Sequence, residues 1–98
     1  MNSHGKGSDR SAALYRALLE LKSPEEFYAF FEDLCTVSEQ MAMEQRFEVA
    51  RLLDKGSIYS DVLEKTGVSS ATVSRVKRCL NYGAGGYRMV LDRMKEEP

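Results

Sequence analysis

A single glycine, Gly67, separates two short segments whose inward-facing residues recur at helical spacing. Val62 and Thr66 lie four residues apart before the glycine, and Val73 and Val76 lie three residues apart after it. Residues at these spacings share one face of a helix. Glycine can end a helix at low steric cost, because it adopts a left-handed backbone that other residues avoid. The pattern therefore predicts two short helices joined by a tight turn.

The rest of the chain also shows helical periodicity, and no alternating strand pattern competes with it. Predicted helices span residues 9–22, 24–35, 37–55, 58–66, 70–82 and 87–95, and Gly56 closes the third of them. Ser23, Ser57 and Ser69 stand where N-caps are expected, and Thr36 with Glu39 has the spacing of a capping box. The chain is therefore predicted to be all-α, with six helices.

With 98 residues, 43% of them hydrophobic and 30% charged, the chain has the size and composition of one globular domain. Residues 1–8 are rich in glycine and serine and are expected to form a disordered arm, or to be a cloning remnant. Residues 9–98 are then a single helical domain whose helix-turn-helix covers about residues 57–82.

Two further features indicate the cellular compartment of the protein and the state of its cysteines. No apolar run approaches the ~20 residues that cross a bilayer, and no secretory signal is evident at the start, so we expect a cytoplasmic protein without a membrane partner. Cys35 and Cys79 are far apart and match no metal-ligand spacing. We expect buried free thiols, without a disulfide or a metal site.

Charge is distributed unevenly along a chain whose net charge is only −1. Residues 20–48 hold eight acids and two bases, whereas residues 69–82 hold Arg75, Lys77 and Arg78 and no acid. Acidic stretches are commonly solvated helix faces. A polyanion such as nucleic acid would approach the second region rather than the first.

Two short helices around a glycine turn are typical of a helix-turn-helix, in which the outer face of the second helix contacts bases. Short Ser and Ala side chains let the start of that helix lie close in the major groove, and cations further along it attract phosphates. The predicted DNA-binding residues are Ser69, Ser70, Ala71, Thr72, Ser74, Lys77 and Arg78. The expected partner is an operator in double-stranded DNA.

The first helix of this pair fits the pattern less closely. Leu63 stands where a small residue is usual, which predicts helices that cross farther apart, and Asp61 and Glu64 place negative charge near the DNA backbone. With the near-neutral net charge, these acids favour an alternative function, a helical dimeric adaptor that binds proteins and not DNA. An enzyme is opposed by the side-chain inventory, because the single histidine, His4, lies in the N-terminal arm and no catalytic residues can be assigned.

The order of these features resembles the Trp repressor family, and most of all its short YerC/YecD-like branch. The resemblance is carried by the capping box, Arg46, Gly56, the helix-turn-helix and the run Arg78-Cys79-Leu80-Asn81-Tyr82-Gly83 with Gly86-Tyr87. It implies a six-helix bundle in an intertwined homodimer, with the N-terminal helices of both chains in one shared core. The two motifs would reach successive major grooves, so half-sites would lie about one DNA turn apart.

The same resemblance implies a transcriptional repressor of an amino-acid biosynthesis operon, with an amino-acid corepressor between the third helix and the recognition helix. The matching positions here are Thr36, Arg46, Arg75 and Val76. Tryptophan-binding members have glycine where this chain has Val76, so the resemblance points to an amino acid smaller than tryptophan, such as histidine, or to no corepressor at all. Arg75 is equally suited to contact a phosphate.

Overall fold

The computed structural model describes residues 8–96, which form six α-helices and no β-strand. The helices are α1 (Asp9–Leu18), α2 (Pro24–Leu34), α3 (Val37–Asp54), α4 (Tyr59–Thr66), α5 (Ser70–Tyr82) and α6 (Gly86–Glu96). The all-α fold predicted from the periodicity is confirmed. Within this described part of the chain, no helix has the length and apolar character needed to cross a membrane.

The chain divides into two compact units between Val37 and Ser38. The first unit holds α1 and α2, and the second holds α3 to α6. The arm predicted at residues 1–8 lies outside the described residues except for Ser8, whose hydroxyl accepts a hydrogen bond from the N–H of Ser11 at 3.0 Å and caps α1. Ser8 is therefore the N-cap of α1, and it does not belong to the predicted arm.

Helix α1 ends at Leu18, four residues before the end predicted from sequence. The reason lies at the start of α2, where Ser23 caps the N–H of Glu26 and the Glu26 carboxylate accepts the N–H of Lys22 at 2.8 Å. The proline at position 24 also disfavours a helical backbone just before it. The backbone N–H of Lys22 is thus hydrogen-bonded at the N-terminus of α2, so Lys22 does not extend α1.

The junction between α3 and α4 corrects a second expectation. Ser57 was predicted to cap α4, but Ile58 occupies the N-cap and makes no side-chain hydrogen bond there. The N–H of Ser57 instead donates to Leu52 and that of Gly56 to Leu53, both at 3.0 Å, with Gly56 at φ 91°. This is the Schellman arrangement, which satisfies carbonyls at the end of α3. Ser57 therefore belongs to the end of α3.

The core of the second unit is small and consists almost wholly of aliphatic side chains. Its buried members are Val49, Ala50, Leu52, Val62, Val73, Val76 and Leu91. Phe47, Leu63 and Tyr87 are among the partly buried residues that pack on it. Each of the four helices contributes at least one buried residue, so the burial of apolar surface holds α4 and α5 against α3 and α6.

An ion-pair network joins the last residue of α3 to α6. The Asp54 carboxylate, only 8% exposed, contacts Lys95 Nζ and Arg88 Nη1, each at 2.7 Å. Asp92 lies 3.3 Å from the same Arg88 nitrogen. The Lys95 ammonium and then the Arg88 guanidinium lower the pKa of Asp54. The charged carboxylate is therefore more stable in the folded chain than in the unfolded chain.

We expect Asp54→Asn to lower the thermal midpoint by about 3 to 6 °C at neutral pH, because both cations lose their shared partner. Asp92→Asn is the matched control, since Asp92 is exposed and its contacts are longer, and it should change the midpoint much less. Because the pKa of Asp54 is lowered in the folded chain, the charged carboxylate stabilises the fold at any pH above its ordinary titration range. This stabilisation is lost when acid protonates the carboxylate. The difference between wild type and Asp54→Asn should thus shrink below about pH 4. A difference that stays constant in acid would contradict the assignment.

Candidate nucleic-acid interface

Helices α4 and α5 form a helix-turn-helix with a three-residue turn, residues 67–69. Gly67 takes the left-handed conformation, with φ 71°, and its N–H donates to the Leu63 carbonyl at 2.9 Å. The Thr66 hydroxyl donates to the Val62 carbonyl at 2.7 Å and accepts the N–H of Val68 at 3.4 Å. Hydrogen bonds therefore fix the backbone both before and after Gly67, at the turn predicted there.

The inner faces of the two helices are buried as the spacing predicts. Val62 and Val73 are fully inaccessible, and Val76 is 1% exposed. Val68 and Leu63 pack partly buried against the same core. Because β-branched side chains have few rotamers, this contact holds α5 at a fixed orientation on α4.

Ser69 caps α5 in the manner predicted. Its hydroxyl oxygen accepts the N–H of Thr72 at 3.1 Å, and the Ser69 and Thr72 hydroxyl oxygens are 3.1 Å apart. Only one hydroxyl proton is used in the hydrogen bond between these two side chains. The other proton remains available to an acceptor outside the protein. Ser69 is exposed and Thr72 is half-buried.

The outer face of α5 is open to solvent and carries the remaining residues of the predicted interface. Exposed side chains on this helix include Ser70, Ala71, Ser74, Lys77 and Arg78, and also Arg75. No acid lies between Ser69 and Tyr82, so the charged side chains of this helix are all positive. The face begins with small polar residues and continues with cations. This order would place short side chains near base edges and long cations near phosphates.

The acids of the first helix are also exposed. Asp61 and Glu64 both lie on the surface of α4, and Lys65 follows them in its last turn. The positive charge of the helix pair is therefore concentrated on α5. A polyanion that contacts both helices would meet repulsion from the middle of α4.

A cavity of about 190 Å³ lies between α3 and the start of α5. Its lining residues are Ala42, Gln45, Arg46, Val68, Ser69 and Thr72. Of the predicted corepressor residues, Arg46 lines this cavity, whereas Arg75 is exposed on α5 and the Val76 side chain is in the core. Thr36 belongs to the first unit and stands immediately before α3.

Sequence reasoning missed Ala42 and Gln45 as cavity residues. Their spacing could have indicated them, because both lie within one helical turn of Arg46 on the same side of α3. Two lining residues, Ser69 and Thr72, were predicted as part of the DNA-binding set. The cavity and the candidate interface therefore share the cap of α5.

A second, more apolar cavity of about 500 Å³ lies beside α6 in the same unit. It is lined by Phe47, Cys79, Ala84, Gly86, Tyr87, Met89 and Val90. Cys79 and Cys35 are free thiols, as predicted. Each is half-buried, so the expectation that they are buried is wrong. Met89 and Val90 on its rim are exposed, so this part of α6 presents apolar surface to solvent.

Comparison with known proteins agrees with this architecture. Residues 10–95 match the family model of the Trp repressor protein. The chain is 54% identical over 83 residues to the uncharacterized protein YerC of Bacillus subtilis (strain 168), an alignment that covers 85% of this chain and 80% of YerC.

Two crystal structures are similar over almost the whole chain. One is of a TrpR-like protein from Eubacterium eligens, with 46% identity and a TM-score of 0.88, covering 94% of this chain and 95% of that one. The other is of a candidate Trp repressor from Staphylococcus aureus, with 41% identity and a TM-score of 0.90, covering 99% of this chain and 97% of that one. The chain therefore belongs to the Trp repressor family, whose members are DNA-binding regulators rather than enzymes.

Proposed function

We propose that the protein is a sequence-specific transcriptional repressor that binds a DNA operator and controls an amino-acid biosynthesis operon in the cytoplasm. The observation that carries this proposal is the outer face of α5, which is fully open, begins with short polar residues and is free of acids. A helix that only packs against the core does not require an outer face that begins with short polar residues and is free of acids. Membership of a family of DNA-binding regulators supports the same conclusion.

In the proposed complex, the start of α5 enters the major groove. Ser70, Ala71 and Ser74 contact base edges, where a hydroxyl exchanges hydrogen bonds and a methyl group meets thymine. Lys77 and Arg78 hold phosphates and supply most of the affinity, which is independent of sequence. The free hydroxyl proton of the Ser69 and Thr72 pair is suited to a phosphate oxygen at the edge of the groove.

We propose that the repressor acts as a homodimer. Neither α1 nor α2 has a fully buried residue, although Phe27, Phe30 and Phe31 form an aromatic cluster with ring centroids about 6 Å apart. Leu19 is 82% exposed and Tyr28 71% exposed. So much exposed apolar surface on one small chain indicates an interface with another chain. A two-fold dimer would place two α5 helices on half-sites about one DNA turn apart.

We also propose an amino-acid corepressor in the cavity beside the cap of α5. Arg46 supplies the one cation of the lining, and a guanidinium grips a carboxylate through paired hydrogen bonds. Ser69 and Thr72 connect the cavity to the reading end of the helix, so an occupant could alter DNA affinity by contact with the cap. Arg75 does not line this cavity, and we propose it as a second carboxylate contact from the exposed surface of α5. Val76 does not line it either. Its buried side chain stands where tryptophan-binding members have glycine, and we propose that it disfavours a ring as large as indole.

An adaptor that binds proteins and not DNA is the alternative function, and the exposed acids Asp61 and Glu64 favour it. Salt dependence separates the two functions. DNA binding through several phosphates weakens steeply as salt rises, whereas binding through apolar surface does not.

The DNA proposal is tested with a duplex that the wild-type protein selects from a random pool. We expect Lys77→Ala to weaken binding to the selected and an unrelated duplex alike and to reduce the salt slope by about one, whereas Ser74→Ala alters preference at one base position. Arg93→Ala is the control, since Arg93 is an exposed cation on α6 outside the proposed interface. Equal loss of specificity from Lys77→Ala and Ser74→Ala would contradict the assigned roles, and a wild type that selects no duplex from the pool would favour the adaptor.

The dimer is tested by sedimentation equilibrium at micromolar concentration, where we expect twice the mass of one chain. Phe27→Ala should weaken association, because it removes an apolar ring that is 39% exposed in the single chain. Glu25→Ala in the same helix serves as the control and should leave the mass unchanged. A wild-type chain that is folded and monomeric under these conditions would refute the dimer.

The corepressor is tested by calorimetric titration of the wild type with each common amino acid. We expect binding by an amino acid smaller than tryptophan, lost in Arg46→Ala and weakened in Arg75→Ala. Overpacking costs about 1–3 kcal/mol, so tryptophan should bind the wild type roughly tenfold or more weakly than it binds Val76→Gly. Tight tryptophan binding by the wild type would refute the steric argument. Binding undiminished in Arg46→Ala would remove that arginine from the site.

A further inference from the structure

We propose that Tyr59 is a positioning residue that holds the reading end of α5 in the orientation needed for base recognition; this rests on the proposed DNA-binding function. The Tyr59 hydroxyl donates a hydrogen bond to the backbone carbonyl oxygen of Ser70 at 3.3 Å. Tyr59 is the first residue of α4, and Ser70 is the first residue of α5. The side chain therefore bridges the N-terminal ends of the two helices.

The bridge lies one helical turn beyond the buried contact of the same two helices. Val62 follows Tyr59 by three residues, and Val73 follows Ser70 by three residues, and both valines are fully buried in one cluster. The helix pair is thus fixed by apolar packing at the valines and by a directional hydrogen bond between Tyr59 and Ser70. We call these N-terminal ends of α4 and α5 the open end of the pair. A carbonyl oxygen has two lone pairs, so Ser70 can accept from Tyr59 and still serve its own helix.

Other features of the open end leave this task to Tyr59. Ile58, the N-cap of α4, makes no side-chain hydrogen bond, and Leu63 is packed against the buried core. The long aromatic side chain of Tyr59 reaches from the start of one helix to the start of the other, which a short side chain could not do. Tyr59 is 44% exposed, so more than half of its surface is covered while its hydroxyl lies at the edge of the candidate interface.

The consequence for DNA binding follows from the side chains on each part of α5. Ser70 and Ser74 are short, so their hydrogen bonds with bases depend on the exact position of the backbone. Lys77 is long and flexible, and it can follow a phosphate when the helix shifts slightly. Loss of the Tyr59 hydroxyl should therefore reduce discrimination between DNA sequences more than it reduces general affinity.

The test compares Tyr59→Phe, which removes only the hydroxyl, with the control Tyr82→Phe, at the other end of α5 on a side chain that is 86% exposed. Both proteins are titrated with the selected duplex and an unrelated duplex over a range of salt. We expect Tyr59→Phe to bind the selected duplex about three- to tenfold more weakly, the equivalent of one hydrogen bond, with unchanged affinity for the unrelated duplex and an unchanged salt slope.

Amide hydrogen exchange in the free protein supplies a readout that needs no DNA. Tyr59→Phe should raise exchange in the first turn of α5 and leave the rest of the second unit as in the wild type. Equal weakening on both duplexes would make Tyr59 a phosphate contact and overturn the proposal, as would exchange raised throughout the unit or nowhere. A wild type without sequence preference would refute the proposed function alone, because the exchange measurement still decides whether Tyr59 holds α5.

Discussion

The contact among Val49, Val62, Val73 and Val76 is the interaction on which the second unit depends. All four side chains are almost completely buried, and they come from α3, α4 and α5. Valine has one strongly preferred rotamer in a helix, so a core of valines tolerates little change in how the helices meet. With its inner face committed in this way, α5 leaves its entire outer face to solvent. The recognition surface is a consequence of where the core lies.

Polar groups at the ends of the helices determine where each helix begins and ends. Ser69 caps α5 by accepting the N–H of Thr72, and both side chains line the smaller cavity. A change in the cavity therefore acts on the first turn of α5 without any intermediate element. At the C-terminal end of α3, Asp54 pairs with two cations of α6, which ties the last helix to the segment that leads into α4.

The first unit shows the opposite balance. Its two helices bury no residue fully, although α2 carries three phenylalanines, and the second unit leaves an apolar cavity of about 500 Å³ beside α6. A chain of this size buries a smaller share of its surface than a larger domain does when it folds alone. Apolar surface on both units is what an association between chains would remove from water, and this is the physical basis of the proposed homodimer.

Local sequence determined the secondary structure and the division of α5 into two faces. Gly67 and the spacing of Val62, Val73 and Val76 predicted the turn and the buried side, since periodicity and left-handed turns depend on near neighbours. The charge of α5 and its cap at Ser69 could be read in the same way. Ser57 was assigned to the wrong helix, because a serine between two helices can serve either, and only the Schellman hydrogen bonds to α3 decided between them.

Tertiary structure alone decided which distant residues meet. The joining of Asp54 with Arg88 and Lys95, more than thirty residues later, leaves no periodic signal. The same holds for the reach of Tyr59 to Ser70 and for the placement of Arg46, but not Arg75, in the smaller cavity. These contacts depend on the angle and distance at which helices cross. That geometry results from the packing of the whole core, whereas the spacing of apolar residues indicates only which face of each helix is buried.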